Sequence, residues 1–357
     1  MRNLLLLLVV VPQLALGAAV IRIDESRSLS IAVAFRSSMG GTNAPAPDGS
    51  SRALDLSVDG ALLAIGGELD KRLRLQINAL RLPTTGAITV ADAIVQVDIA
   101  PWLQLWAGRM LPPLDRAALT GPFFGVHYEP TFASAYPSVL PGGRDDGLAA
   151  WGAVLDGRLK YELGAFRGRV GAPNLLAFPM FSTRISYAFW DPEPGYYASG
   201  TYLGARKVLT LAVHGRYQRD GARFNDGSPT GVPRRYTGFG ADALVERDVG
   251  PVLGTLEVGW GRYDTEVAGD PNAFEGAGAY GSLAGMWLKP LGPGRLQVGA
   301  RYQWLNPGGG PPRAKLDGVV NYFFAGQSIR AVGMASRELI PGAPSIYTAR
   351  FAIQLVL

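Results

Sequence analysis

The chain alternates. From Arg72 to Leu80 every second residue is apolar (Leu73, Leu75, Ile77, Ala79), and Arg72, Arg74, Gln76 and Asn78 stand between them. A period of two puts the two sets on opposite faces of a β-strand. The pattern recurs along the whole chain in runs of roughly ten residues, close to what a tilted strand needs to cross a bilayer. The clearest case is the hairpin Thr89 to Met110, TVADAIVQVDIA followed by PWLQLWAGRM, with a tight corner at Ala100-Pro101.

Taken in order, the alternating runs begin at Leu29–Arg36, Ala53–Gly66, Arg72–Leu80 and the hairpin. Gly147–Leu155 and Arg158–Phe166 follow, joined through Asp156-Gly157, a strong two-residue turn signal. Then come Thr183–Trp190, Lys207–Gln218, Tyr236–Glu246, Leu253–Tyr263 and Gly276–Lys289. Arg295–Trp304, Lys315–Phe324, Ser328–Ser336 and Ile346–Leu357 close the series. About sixteen strands are predicted, with short connections alternating with long ones. The Asp191-Pro-Glu-Pro-Gly195 stretch reads as a turn. An even strand count with short turns on one side and long loops on the other describes an all-β transmembrane antiparallel barrel of the bacterial outer membrane.

One connection stands apart. Pro112 to Asp146 is long and rich in Pro, Gly and aromatics. Loops of that length in a compact domain are functional or disordered. The expectation is that this third long loop folds into the barrel and narrows it, with Phe123, Phe124, Phe132 and Tyr136 pinning it to the wall.

The ends of the chain fit the same picture. Tyr347, Ala349, Phe351, Ile353, Leu355 and Leu357 form an apolar stripe to the carboxyl terminus, opposed by Thr348, Arg350 and Gln354. Trp102, Trp190, Trp287 and Trp304 fall at strand ends, where an interfacial girdle sits. Residues 1–19 read as a cleaved secretory signal, with Arg2, an apolar Leu4–Val11 core and a small-residue Ala15-Leu-Gly-Ala18 site. Residues 20–357 are then the barrel.

Composition changes this little. There is no Cys, so an exported chain must take its stability from elsewhere, and a closed hydrogen-bonded barrel supplies it. The formal charge is +5, but no run of five like charges exists, which argues against a nucleic-acid patch. Gly276-Ala-Gly-Ala-Tyr-Gly281 matches a dinucleotide fingerprint inside a strand, without the helix that chemistry requires. His127 and His214 are the only histidines, too few and too distant for a metal site. The reading therefore includes no cofactor, no metal and no catalytic residue.

The charges on the polar parity carry more. Arg72, Arg74, Lys160, Arg184, Arg216, Arg301, Arg330 and Arg350 are predicted to line the pore, against Glu162, Asp242, Glu246, Glu257 and Asp317. The excess of bases suggests a weak anion preference. In the long loop Asp115, Arg116, His127, Glu129, Arg144, Asp145 and Asp146 are the polar candidates for a constriction.

Several stretches together resemble the phosphate-selective porin O/P family. They are Asp92-Ala93, Trp106-Ala-Gly108-Arg-Met-Leu-Pro112-Pro113, Gly143-Arg144-Asp145-Asp146-Gly147, Leu163-Gly164-Ala-Phe166-Arg-Gly168 and Pro194-Gly-Tyr-Tyr197 to Gly204. The likeness runs from about Ala53 to Gln218 and is weaker beyond. It implies a sixteen-stranded anion channel, and in phosphate-specific members a cationic eyelet. Here no lysine lies between Lys71 and Lys160, so arginines would have to serve.

The sequence thus points to an outer-membrane porin, a passive channel for small hydrophilic solutes with a weak preference for anions, phosphate among the candidates. Its expected partners are outer-membrane lipid, small anionic or neutral solutes and, by family analogy, two further copies in a homotrimer. Two readings of other classes compete. A barrel enzyme acting on lipids needs Ser and His together on the outer face, and His214 has the inner parity. An exported β-rich binding or adhesion protein would not fractionate with membranes.

Overall fold

The computed structural model describes residues 18–45, 49, 52–81, 86–132, 143–168, 178–224, 232–265, 275–308 and 310–357. The first half of the chain gives β1 (Ala19–Arg22), β2 (Ser28–Pro45), β3 (Arg52–Glu68), β4 (Leu73–Arg81), β5 (Ile88–Ala100), β6 (Leu103–Met110), the short helix α1 (Arg116–Thr120), β7 (Asp145–Val154), β8 (Leu159–Phe166) and β9 (Met180–Ala188). The second half gives β10 (Val208–Phe224), β11 (Val232–Val249), β12 (Val252–Asp264), β13 (Gly276–Trp287), β14 (Arg295–Pro307), β15 (Arg313–Ala325), β16 (Ile329–Leu339) and β17 (Ile346–Val356).

Each strand from β2 to β17 pairs antiparallel with the next, and β17 returns to pair with β2. The result is a closed sixteen-strand ring with no free edge. β1 was not foreseen. It pairs with β2 over Ser28 to Ile31, on the same edge that β17 occupies from Ala34 upward. The two therefore lie end to end, and Leu357 bonds reciprocally with Val33 where they meet. The leader assignment lies outside the described residues except for Ala18 and Ala19, and Ala19 opens β1.

Alternation is realised as the sequence requires. Leu75, Ile77, Val95, Val97, Leu211, Val213, Phe351 and Ile353 are exposed, and the positions between them are buried or half-buried. A bilayer core would cover that outward apolar band. Trp102, Phe189, Trp287 and Phe324 stand exposed at the short-turn end, and Tyr187–Phe189 and Tyr322–Phe324 pack edge to face there. Such a belt suits the boundary between hydrocarbon and headgroups.

The strands exceed the sequence expectation mainly at the long-loop end. β2 runs to Pro45 and β10 to Phe224, so much of the expected polar loops is ladder. The expected turn at Asp156-Gly157 has both residues at positive φ, as a type I′ corner demands, and Arg158 N–H closes on the Leu155 carbonyl at 3.1 Å. The dinucleotide-like Gly276–Gly281 lies inside β13. Asp145 and Asp146, expected in the loop, are the first two residues of β7, because the ladder with β6 begins at Met110↔Asp145.

One connection breaks the alternation of lengths. At the short-turn end, Phe189 to Lys207 joins β9 to β10 by a long path instead of a turn. We call it the strap. Asp191-Pro-Glu-Pro-Gly195 is its entry and not a hairpin corner. The neck is tied by Asp191 N–H to the Lys207 carbonyl at 3.0 Å and by Lys207 N–H to the Asp191 carboxylate at 2.8 Å.

Candidate functional site

The loop after β6 meets side chains from the inner positions of strands around the ring. Pro112 and Pro113 stop β6, since neither can donate to a ladder. Ser182 then donates to the Pro113 carbonyl and Arg184 to that of Leu114 at 2.9 Å. Asp115 caps α1 by accepting from Ala118 N–H at 3.1 Å. Gly121, at φ 64°, ends the helix and turns the chain.

Beyond Gly121 the backbone has no ladder of its own. The wall supplies the partners that a buried backbone must have. Arg36 donates to the carbonyls of Pro122 and Tyr128, and its guanidinium sits 3.7 Å from the centre of the Tyr128 ring. Gln354 donates to the Phe123 carbonyl at 2.9 Å, Arg330 to that of Gly125 at 2.7 Å, and Asn321 to that of Val126 at 2.9 Å. His127 Nε2 lies 2.8 Å from Ser282 Oγ. Glu129 pairs with Lys315 at 2.6 Å and with Arg350 at 3.4 Å. Tyr128 donates its hydroxyl to Asp59, the extra residue of a bulge where β3 slips against β2. Phe123 and Phe124 pack with Ala34, Leu62 and Val356, and Val126 and Tyr128 with Val319, Val332 and Ala352. Arg313 stands over the Phe132 ring, and Tyr136 lies outside the described residues.

The strap meets this loop from the other end. Tyr196 is fully buried, its ring 4.7 Å from Trp106 and 6.0 Å from Trp151, and its hydroxyl donates to the Leu111 carbonyl at 2.8 Å. Glu246 accepts from the N–H groups of Tyr202 and Gly204 at 2.9 and 3.3 Å. Leu203 packs against the inner residues Leu253, Met286 and Phe323. Where loop and strap cross, Gly200 N–H donates to the Phe124 carbonyl at 3.1 Å, and Ala198 N–H to that of Leu119 at 3.3 Å. A Cβ on Gly200 would lie 3.1 Å from the Gly125 Cα, so the crossing is backbone on backbone.

Arg116 locks the crossing. It makes a two-bond pair with Glu193 of the strap, one bond measuring 2.7 Å, and donates to the Ser199 carbonyl at 3.1 Å. Its backbone N–H donates to Asp242 on β11 at 3.2 Å. Asp242 is also bound by both nitrogens of the Arg184 fork. Burial opposes charge on both Arg116 and Glu193. The guanidinium beside it nevertheless holds Glu193 down at about 2, and Glu193 and Asp242 hold Arg116 charged. His127 is the opposite case: burial first, then Arg301, Arg330 and Lys315, push it well below the ordinary range, so it is neutral.

The sequence-predicted residues are distributed as follows. Arg184, Arg216, Arg301, Arg330 and Lys160 are buried on inner positions. Arg301 pairs with Asp317 at 2.9 Å and Lys160 lies 3.5 Å from Glu162. Arg74 pairs with Asp98 at 2.8 Å, and Arg350 with Asp55 at 2.9 Å. Arg72 is exposed in the turn before β4. Asp115, Arg116, His127 and Glu129 lie together on the loop, and Arg144 pairs with Asp92 on β5 at 3.2 Å. Asp145 accepts from Gly168 N–H at 2.7 Å, and Asp146 pairs with Arg109 at 2.7 Å, so both serve the upper wall.

Sequence reasoning missed Glu193, Tyr196, Arg36 and Asp92 as parts of this assembly. The signal was present: Arg36 has the inner parity of its strand, and Pro194-Gly-Tyr-Tyr197 is too aromatic for a solvated turn.

No protein-family model matches the chain, and no curated protein matches it. Solved structures do. The anion-selective porin from Comamonas acidovorans shares 11% identity over 93% of this chain and 100% of its own, with a TM-score of 0.60. Salmonella typhi OmpF, in complex with daunomycin, shares 12% over 95% and 100%, at 0.59. OmpT of Vibrio cholerae, in a trimer form, shares 11% over 93% and 100%, at 0.58. At such identities the likeness is one of fold: the chain has the porin-type barrel, across general porins and not one phosphate-selective group.

Proposed function

We propose that the protein is an outer-membrane porin, a passive diffusion channel for small hydrophilic solutes with a weak anion preference. The observation that carries this is the closed ring with an apolar outward band and polar inward positions to which a long loop is hydrogen-bonded. In this reading the eyelet is built by two segments, the loop 111–132 from one end and the strap from the other, locked at Arg116. A leader over residues 1–19 and a bacterial outer-membrane location belong to the same reading, as does a homotrimer like the trimer form of OmpT. No step of chemistry is assigned to it.

Purified protein refolded into a planar bilayer tests the channel. Discrete ohmic steps in KCl are the expected result, and an electrically silent bilayer containing heat-modifiable protein would overturn it. Phosphate preference is read in the same cell, because a phosphate-binding eyelet reduces chloride current at low phosphate concentration. Cross-linking of the membrane-embedded protein reads the subunit number.

A further inference from the structure

Between the loop, the strap and the wall of β3 to β5 lies a cavity of about 350 Å³. That size lies in the range of small-molecule sites. Its walls are unexpected for a path meant for hydrophilic solutes. Leu62, Leu80, Leu111, Leu119, Phe123 and Leu203 are among the apolar residues that dominate them. They come from both strands and both inserted segments, so the cavity exists only because loop and strap meet.

The charged residues on its border are few. Asp92 is neutralised by Arg144 at 3.2 Å and accepts from Asn78 at 2.7 Å. Arg206, at the neck of the strap, donates to the Pro192 carbonyl at 3.0 Å and has no acidic partner among the described residues. Glu193, the nearest strap carboxylate in sequence, is held by both nitrogens of Arg116. The cavity therefore offers an apolar body site with one uncompensated cation at the short-turn end. An inorganic anion would leave the apolar walls uncovered, and a cation would meet Arg206 without compensation.

We infer that this cavity is a solute-binding site for monoanions with an apolar body, a carboxylate carried on an aromatic or short aliphatic group. The body lies against the leucines and the carboxylate meets the Arg206 fork, which matches a carboxylate in two parallel bonds. The inference rests on the channel reading above and narrows its solute class. It makes the protein a channel in which such solutes pause on the way through, so they should slow the ion current that smaller ions carry.

Phenylacetate, phenylacetamide and phenethylamine share one body and differ in head charge, which makes them the probes. Calorimetric binding to folded protein in detergent is measured beside block of KCl current in bilayers. Phenylacetate should bind and block about tenfold better than the amide, the worth of a charge-assisted pair, and the amine should do neither. Arg206→Gln should erase the acid-over-amide preference and leave amide binding intact, Arg206→Lys should keep part of the preference, and Leu80→Asn should weaken acid and amide alike. Equal binding of all three probes, no binding of any, or an Arg206→Gln protein that still prefers the acid would overturn the inference. A conducting protein that binds none of them sinks the site and spares the channel. A protein that binds phenylacetate without conducting does the reverse.

Discussion

Arg116 holds three pieces of the chain at one point: its own helix, the strap through Glu193 and the wall through Asp242. Removing one partner of a buried pair leaves the other charged and unsolvated, at a cost of about 3–5 kcal/mol. The ring does not depend on the lock, so Arg116→Ala should leave a heat-modifiable barrel and free the crossing. Single-channel conductance should rise, and Glu193→Gln should raise it less, since the neutral amide still accepts from the guanidinium. Unchanged conductance in both would place the crossing off the ion path. The pH dependence has a definite sign. A carboxylate held at about 2 contributes its stabilisation fully above the ordinary Glu range, and loses it as pH falls through that range toward 2. The part of the conductance that this lock controls should therefore be flat from pH 8 to 5 and climb only in stronger acid. His127 adds no inflection near the usual histidine pKa, because it is neutral throughout that window. None of this was legible at residue level in the sequence. Arg116 and Asp242 were both recognised as polar positions, but nothing in a period-two pattern says which distant residue a loop side chain will meet. Glu193 looked like a turn residue because Pro and Gly surround it.

At the scale of the element, alternation did most of the predictive work. Arg74 and Leu75 show why: one residue of shift exchanges the two faces, so a strand with a real polar parity has one register. Arg74 is turned to Asp98 on the inner side, and Leu75 stands in the outward band. Leu75→Arg should impair folding into liposomes, where a charge near the midplane costs about 2–4 kcal/mol. Arg74→Leu should fold nearly as well as the parent. Equal yields for the two, read by protease resistance, would refute the register. What alternation could not give was the strap and β1. The strap has no period of its own, and its structure comes from Tyr196 against Trp106 and from Glu246 on its amides, contacts distant in sequence. Replacing residues 192–205 by a short Gly-Ser link should keep the barrel and enlarge the conductance. Loss of folding instead would make the strap a structural buttress.

Viewed as a whole, the molecule carries far less free charge inside than its sequence suggests. The sequence reading counted bases against acids as if each acted alone. In the fold Arg74, Arg184, Arg301 and Arg350 each face a carboxylate, and Lys160 lies beside Glu162. Arg330 and Arg36 bind loop carbonyls, which hold them in place without cancelling their charge. Arg216 forms no ion pair among the described residues, and Arg206 none either, whereas Glu246 and Glu257 accept from neutral donors. A pore so nearly balanced should discriminate weakly, and its sign should follow the cations that make no ion pair. We therefore expect a small anion preference at low salt, measured as reversal potential under a KCl gradient. Arg216→Gln with Arg206→Gln should move that potential toward cation preference, while Arg72→Gln, in an exposed turn, should move it little. Raising the salt to 1 M should shrink all of these differences, because the screening length there is about 3 Å. A wild-type channel that prefers cations at low salt would show that the carboxylates Glu129 and Glu257 govern the path, and that Arg216 lies outside it.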